Sequence, residues 1–296
     1  MKNKMKKLLI IGIGLLLITT NQPLKAQSFD GLDLVYDKQH TVNKKPIPYQ
    51  SVREADMFWS KVVWRIIDLR EKINQPLYFP TTPLGTRKSL IDVLMAAIDS
   101  GGLQAYSTRD DNNEFKVPIT YADVIEEFDA TEKVQDVVIN FQTGETRQDT
   151  LEGEVRSDEV MQILVKELWF FDKQRSVMDV RTIGLCPIRL YYQEGALDTL
   201  GLAEVEPTKK KLFWVKYSEA RQFLASNEVF NQKNDAARLS FDDIFYKRRF
   251  NGYVVKESNV FDNRPINLYF TGIEIMMESE RIEEFIFNFG HDLWEY

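Results

Sequence analysis

Hydrophobic residues recur most regularly between Ser51 and Pro80, SVREADMFWSKVVWRIIDLREKINQPLYFP. Ala55, Phe58, Trp59, Val62, Val63, Ile66, Ile67 and Ile73 keep helical spacing, which predicts one long amphipathic helix. Ser51 and Glu54 fit a capping box at its start, and Asn74 and Pro76 end it. Arg65 with Asp68, and Asp68 with Lys72, are spaced to meet on its polar side. Met57 and Trp64 fall on that polar side too. Two large apolar residues there require a second covering surface, either another layer of the same chain or a partner protein.

The same pattern reading continues along the chain. Residues 27–50 are polar, with Pro46 and Pro48 around Ile47, and read as an extended N-terminal arm. A second helix is expected from Ser89 to Ser100, capped by Ser89 and Asp92 and stopped by Gly101-Gly102. Asp110–Glu114 reads as a loop and Phe115–Tyr121 as a strand. Val134–Gln142 and Thr146–Val155 form a hairpin pattern around Thr143-Gly144-Glu145. Ser157–Phe171 has helical spacing. Ser176–Leu185 alternates like a strand, Pro187 breaks it, and Ile188–Tyr192 resumes. Gly195–Lys211 is expected to be a loop, with Lys209-Lys210-Lys211 in a solvated turn. Leu212–Tyr217 reads as a strand, Ser218 onward as a short helix, Ser240–Phe250 as another, and Tyr253–Glu257 as a strand. Leu268–Met277 fits period two, and Glu278–Phe289 closes the chain as a helix. Ser89…Asp92…Gly101 and Ser240…Asp243…Gly252 share one spacing, which leaves open two related halves.

The expected fold is therefore α+β, with short, mainly antiparallel sheets covered by amphipathic helices. The division that follows is 1–26, 27–50, a first α+β half over 51–155 and a second over 156–296. Residues 1–26 change the picture of location. Four lysines precede the apolar run Leu8–Ile18, and Leu-Lys-Ala-Gln follows, the layout of a signal peptide cleaved between Ala26 and Gln27. Its removal takes five lysines and no acids, moving the net charge from −7 to −12. Bulk charge of that sign argues against nucleic acid or an anionic membrane surface as partner. Cys186 is the one cysteine, in an apolar run, so no intrachain disulfide forms and a buried thiol is expected.

Candidate chemistry is sparse. The histidines are His40 and His291, with no HExxH, no Cys/His cluster, no glycine-rich phosphate loop and no triad spacing. Glu126-Glu127, Asp242-Asp243 and Glu283-Glu284 are adjacent acids, which point in different directions on a helix. Lys247-Arg248-Arg249 ends a predicted helix, where it complements the dipole or meets an acidic partner. The expectation is no enzyme and no cofactor, with a periplasmic hydrolase or a small-molecule-binding protein as the alternatives.

Four segments resemble the GldN/PorN family, gliding-motility and type IX secretion proteins of the Bacteroidota. They are Trp64–Pro80, Leu168–Pro187 (LWFFDKQRSVMDVRTIGLCP), Phe241–Arg264 (FDDIFYKRRFNGYVVKESNVFDNR) and Glu278–Trp294 (ESERIEEFIFNFGHDLW). The resemblance implies a structural subunit of a periplasmic ring. Its implied neighbours are other copies of itself, a GldK/PorK-like outer-membrane lipoprotein and the periplasmic part of a GldM/PorM-like inner-membrane protein. It carries over no catalytic residues. Trp169, Trp214 and Trp294 have the residue type of interface anchors and equally of core residues. Met57, Trp64, Lys247, Arg248, Arg249 and Trp294 are the candidate partner contacts.

Overall fold

Val62, Val63, Ile66 and Ile67 are β-branched, and with Phe58, Trp59 and Trp64 they suit a pleated surface. In the computed structural model Met57–Asp68 (β1) is a strand of twelve residues, not a helix. The structure describes residues 43–293 apart from 86, 111–113, 131–132, 141–144, 152–154, 192–206, 232–233 and 235–236. All described residues fall in one compact unit, Gln39–Tyr296. The proposed cap at Ser51 does not form. A 3₁₀ turn, Glu54–Asp56, leads into β1, and one helical turn, Gln75–Tyr78 (α1), follows it with Pro76 at its start. The helical spacing misled because β1 is covered on both faces. Val63 and Ile67 join clusters on one side, while Val62, Trp64 and Ile66 join a cluster on the other. Pairs such as 62–63 and 66–67 then satisfy both periods at once.

The stretch expected as a helix over Ser157–Phe171 fails for the same reason. After a 3₁₀ turn at Ser157–Glu159 it is a strand, Val160–Asp172 (β6), with Ile163 and Val165 on one face and Leu164 on the other. Val177–Tyr191 (β7) runs unbroken through Pro187. Pro187 pairs with Ile163 of β6, and its carbonyl accepts from the Leu212 N–H at 3.0 Å. On that side the neighbour changes from Thr208–Lys211 (β8) to Trp214–Lys216 (β9), so the missing N–H falls at a junction between strands. The lysine run 209–211 is thus part of β8 rather than a turn, and Lys210 pairs with Glu127 and Asp129.

The remaining strands complete an eight-stranded antiparallel sheet. Its order is Tyr253–Glu257 (β12), β1, β6, β7, β9, Ala105–Tyr106 (β2), Pro118–Ile119 (β3), with β8 also beside β7. Strands from both sides of residue 155 alternate in it, since β1 lies between β12 and β6. Lys133–Asn140 (β4) and Glu145–Leu151 (β5) pair as the expected hairpin, although Thr143 and Gly144 lie outside the described residues. A two-residue pair, Glu228–Val229 (β10) with Leu239–Ser240 (β11), stands apart.

Capping chemistry sets the helices. Ser89 and Asp92 cap Leu90–Asp99 (α2), and Ser240 and Asp243 cap Phe241–Tyr246 (α5), both as full capping boxes. A third box, Thr120 with Asp123, opens Tyr121–Glu127 (α3), directly after the strand Pro118–Ile119 that lies within the expected Phe115–Tyr121. The Ser-to-Asp part of the spacing shared by the halves is thus a local capping motif, used three times among the described residues. Tyr217–Ser226 (α4) follows β9 directly. Its Tyr217 and Leu224 join Ile67, Leu94, Phe213 and Phe241 in the main core. The last helix, Ile273–Asp292 (α6), starts well before Glu278 and absorbs the second half of the expected strand Leu268–Met277, preceded by a 3₁₀ turn at Ile266–Leu268. Ser279, Ile282 and Ile286 are its buried positions, on a helical period that the apolar run Ile273–Met277 hides. The fold is α+β, as the sequence implied.

Asp68 ends β1 and carries a pH signature. Arg70 donates to both carboxylate oxygens, which holds the carboxyl down to about 2 against the opposing effect of burial; the Arg70 N–H and the Gln162 amide add to it. An unfolded Asp titrates near 3.9. A depressed folded value means this stabilisation is full above roughly pH 4 and is lost as the pH falls through about 2. Asp68→Asn should therefore lower stability at neutral pH and flatten the dependence below roughly pH 4, as read by denaturant midpoints across that range. An unchanged slope would remove Asp68 from the acid limb.

Candidate functional site

Two of the charged groups inside the described part of the fold are built around strands β1 and β6, and each contains a residue marked by the sequence. The first is built on Trp64. It is 4% exposed, so its covering surface is supplied by the chain itself. Trp64 Nε1 donates to Glu114 Oε1 at 2.8 Å, and Lys166 Nζ donates to Glu114 Oε2 at 2.9 Å. The ammonium groups of Lys166 and Lys256 stand 4.9 and 4.5 Å from the indole ring, within cation–π range. Phe115 packs edge-on against Trp214 and Tyr106. Gly184 makes this approach feasible, because a Cβ there would stand 2.4 Å from the Phe115 ring. An open cleft of about 580 Å3 leads from Trp64 and Trp214 towards Leu268, with Lys209 and Lys211 among its lining residues.

The second group is built on Glu167 of β6, which is 0% exposed. Arg248 Nη1 donates to Glu167 Oε1 at 2.6 Å, Trp169 Nε1 donates to Oε2 at 3.1 Å, and Arg65 Nε lies 3.6 Å from Oε2. Arg65 also donates to the Gly252 carbonyl at 2.5 Å and to Glu283 Oε1 on α6 at 2.6 Å. The Arg248 guanidinium covers the rings of Trp169 and Phe250 at 4.8 and 5.2 Å. A candidate partner contact is thus spent on an internal ion pair, which ties the segment after α5 to the sheet. Lys247 and Arg249 are exposed, Lys247 lying 3.9 Å from Asp243, and Met57 is 37% exposed. Trp294 lies outside the described residues.

The adjacent acids separate as their geometry requires. Asp242 accepts from Tyr217 at 2.7 Å and from Arg221 at 2.9 Å, while Asp243 caps α5 and pairs with Lys44. Burial opposes ionisation of Asp243, yet the bonds from Lys44 and Ser240 prevail and lower its pKa. Burial, helped by the Asp242 charge, pushes the Tyr217 phenol far above its usual value, so it remains a donor. The described part of the arm is strapped here. Tyr49 stacks on Tyr246 and lies under Arg221 and Arg181, which also donate to the Ile47 and Gln50 carbonyls. The signal-peptide segment and the arm before residue 43 lie outside the described residues.

Cys186 is buried, its Sγ 3.6 Å from the Pro187 carbonyl oxygen. His291 stacks on Phe287, and His40 lies outside the described residues. Among the described residues no group of three His, Cys, Asp or Glu side chains is arranged to hold a metal, and no helix is long and apolar enough to cross a membrane. Glu114, Lys166 and Glu167 carry no sequence signal of their own, because their ion-pair partners lie fifty or more residues away.

The surface is less settled than the interior. The outward side of α6 exposes Met276 (70%) and Phe287 (72%), with Ile273 and Met277 beside them. A comparison with curated proteins finds no match. The family description of the gliding motility associated protein GldN matches residues 52–295, which span the sheet, both charged groups and α6. The chain therefore belongs to the GldN family of gliding motility associated proteins.

Proposed function

We propose that this chain is a periplasmic structural subunit of the type IX secretion and gliding machinery. In this reading copies of it form a ring with a GldK/PorK-like outer-membrane lipoprotein, which holds it at that membrane, and contact the periplasmic part of a GldM/PorM-like protein. Family membership over residues 52–295 is the observation that carries the reading. The signal-peptide layout of residues 1–26 supports export. The exposed apolar side of α6 supports a role in assembly, since such surface on a soluble chain marks contact sites. The described interior charges are paired with one another, which favours a scaffold over a hydrolase.

The test is deletion of the gene with paired measurements. Proteins carrying a type IX C-terminal signal should stay inside the cell, and the lipoprotein should co-purify with a tagged copy of this chain. Normal export from the deletion strain overturns the proposal.

A further inference from the structure

Helix α6 has two apolar sides, and the fold uses only one. Ser279, Ile282 and Ile286 face inward, while Ile273, Met276, Met277 and Phe287 recur three, four or ten residues apart on the opposite side, all exposed. Glu280 and Glu284 occupy the middle of that outer stripe. On the same helix Glu278 pairs with Arg281 and Glu283 with Arg65, but neither Glu280 nor Glu284 pairs with a described cation. Like charges four residues apart weaken a helix, so the chain keeps a pair without direct ion-pair partners where it costs stability, at a cleft that Arg65 and Arg248 also line.

We propose that this stripe docks a cationic amphipathic helix of a partner protein, with apolar residues at both ends and Lys or Arg midway. From Met277 to Phe287 the stripe is about 15 Å long, the span of roughly three helical turns. A helix laid along it would place apolar anchors at both ends and its cations over Glu280 and Glu284. A second copy fits poorly. The acidic pair lies near the centre of the stripe, so parallel and antiparallel pairing both bring four carboxylates together. An anionic lipid surface meets the same repulsion. The inference stands whether or not the ring assignment holds.

The test uses the full chain and two synthetic helical peptides of about 18 residues, apolar at the ends, one with two central arginines four apart and one with two central glutamates. In fluorescence anisotropy the arginine peptide should bind, with affinity falling at high salt. The double variant Glu280→Lys/Glu284→Lys should lose it at least tenfold and gain the glutamate peptide. Phe287→Ser should weaken both pairings and leave the melting temperature in place, because the ring is exposed. Failure of the arginine peptide to bind, or equal binding of both peptides to the native chain, overturns the proposal. So does self-association in sedimentation that Met277→Lys abolishes, or binding to phosphatidylglycerol vesicles that Phe287→Ser abolishes.

Discussion

Trp64→Ala should lower the melting temperature by about 10 °C or more, and should do so in the isolated chain. Truncating a buried Trp costs about 3–5 kcal/mol through lost burial and the cavity left behind. The Glu114 carboxylate, itself buried, loses its 2.8 Å donor, which adds about 1–3 kcal/mol. Each kcal/mol shifts the melting temperature by about 2–4 °C in a domain of this size. Calorimetry on the purified chain reads the effect. Trp64→Phe should retain most of the packing and lose mainly the N–H bond, giving a smaller shift. If Trp64→Ala instead melted like the native chain while losing a binding partner, the indole would belong to an interface and not to the interior.

Glu167→Leu is the second large effect. It leaves the Arg248 guanidinium over the Trp169 and Phe250 rings with its carboxylate gone, while Arg65 keeps Glu283. Removing one member of a buried ion pair costs about 3–5 kcal/mol, because the remaining charge is uncompensated. The informative comparison is Glu167→Leu/Arg248→Met. Replacing both members with apolar groups should recover much of the loss, so the two substitutions should couple by about 1–3 kcal/mol in a double-mutant cycle. Additive losses would show that Arg248 holds its place through Trp169 and Phe250 alone.

Both residues sit on strands that the sequence presents as helices, and the reason is physical. A strand with one wet face shows period two. β1 and β6 are apolar on both faces at their centres, so Val62-Val63 and Ile66-Ile67 keep the spacing of a helical stripe. The β-branched residues of the run were the available counter-signal. In α6 the error runs the other way, since an exposed apolar turn at Ile273–Met277 blurs its period. Local chemistry was more legible. The Ser89 and Ser240 caps and the strand Tyr253–Glu257 are legible directly, and Thr120 with Asp123 carries the same signal. The charged groups could not be read, because Glu114 and Glu167 acquire meaning only when the sheet brings distant strands together.

The placement of β1 between β6 and β12 has a consequence for how the chain is made. Val62 of β1 bonds Ser258, 196 residues later, just beyond the strand that seals this edge. During synthesis residues 57–68 emerge well before 253–257, with apolar side chains on both faces and one ladder unpaired until the later segment arrives. A stalled or truncated chain would offer that ladder to any passing strand, its own copies first. Order of emergence and order of need are opposed in this topology: a segment made long after β1 is what makes that strand safe.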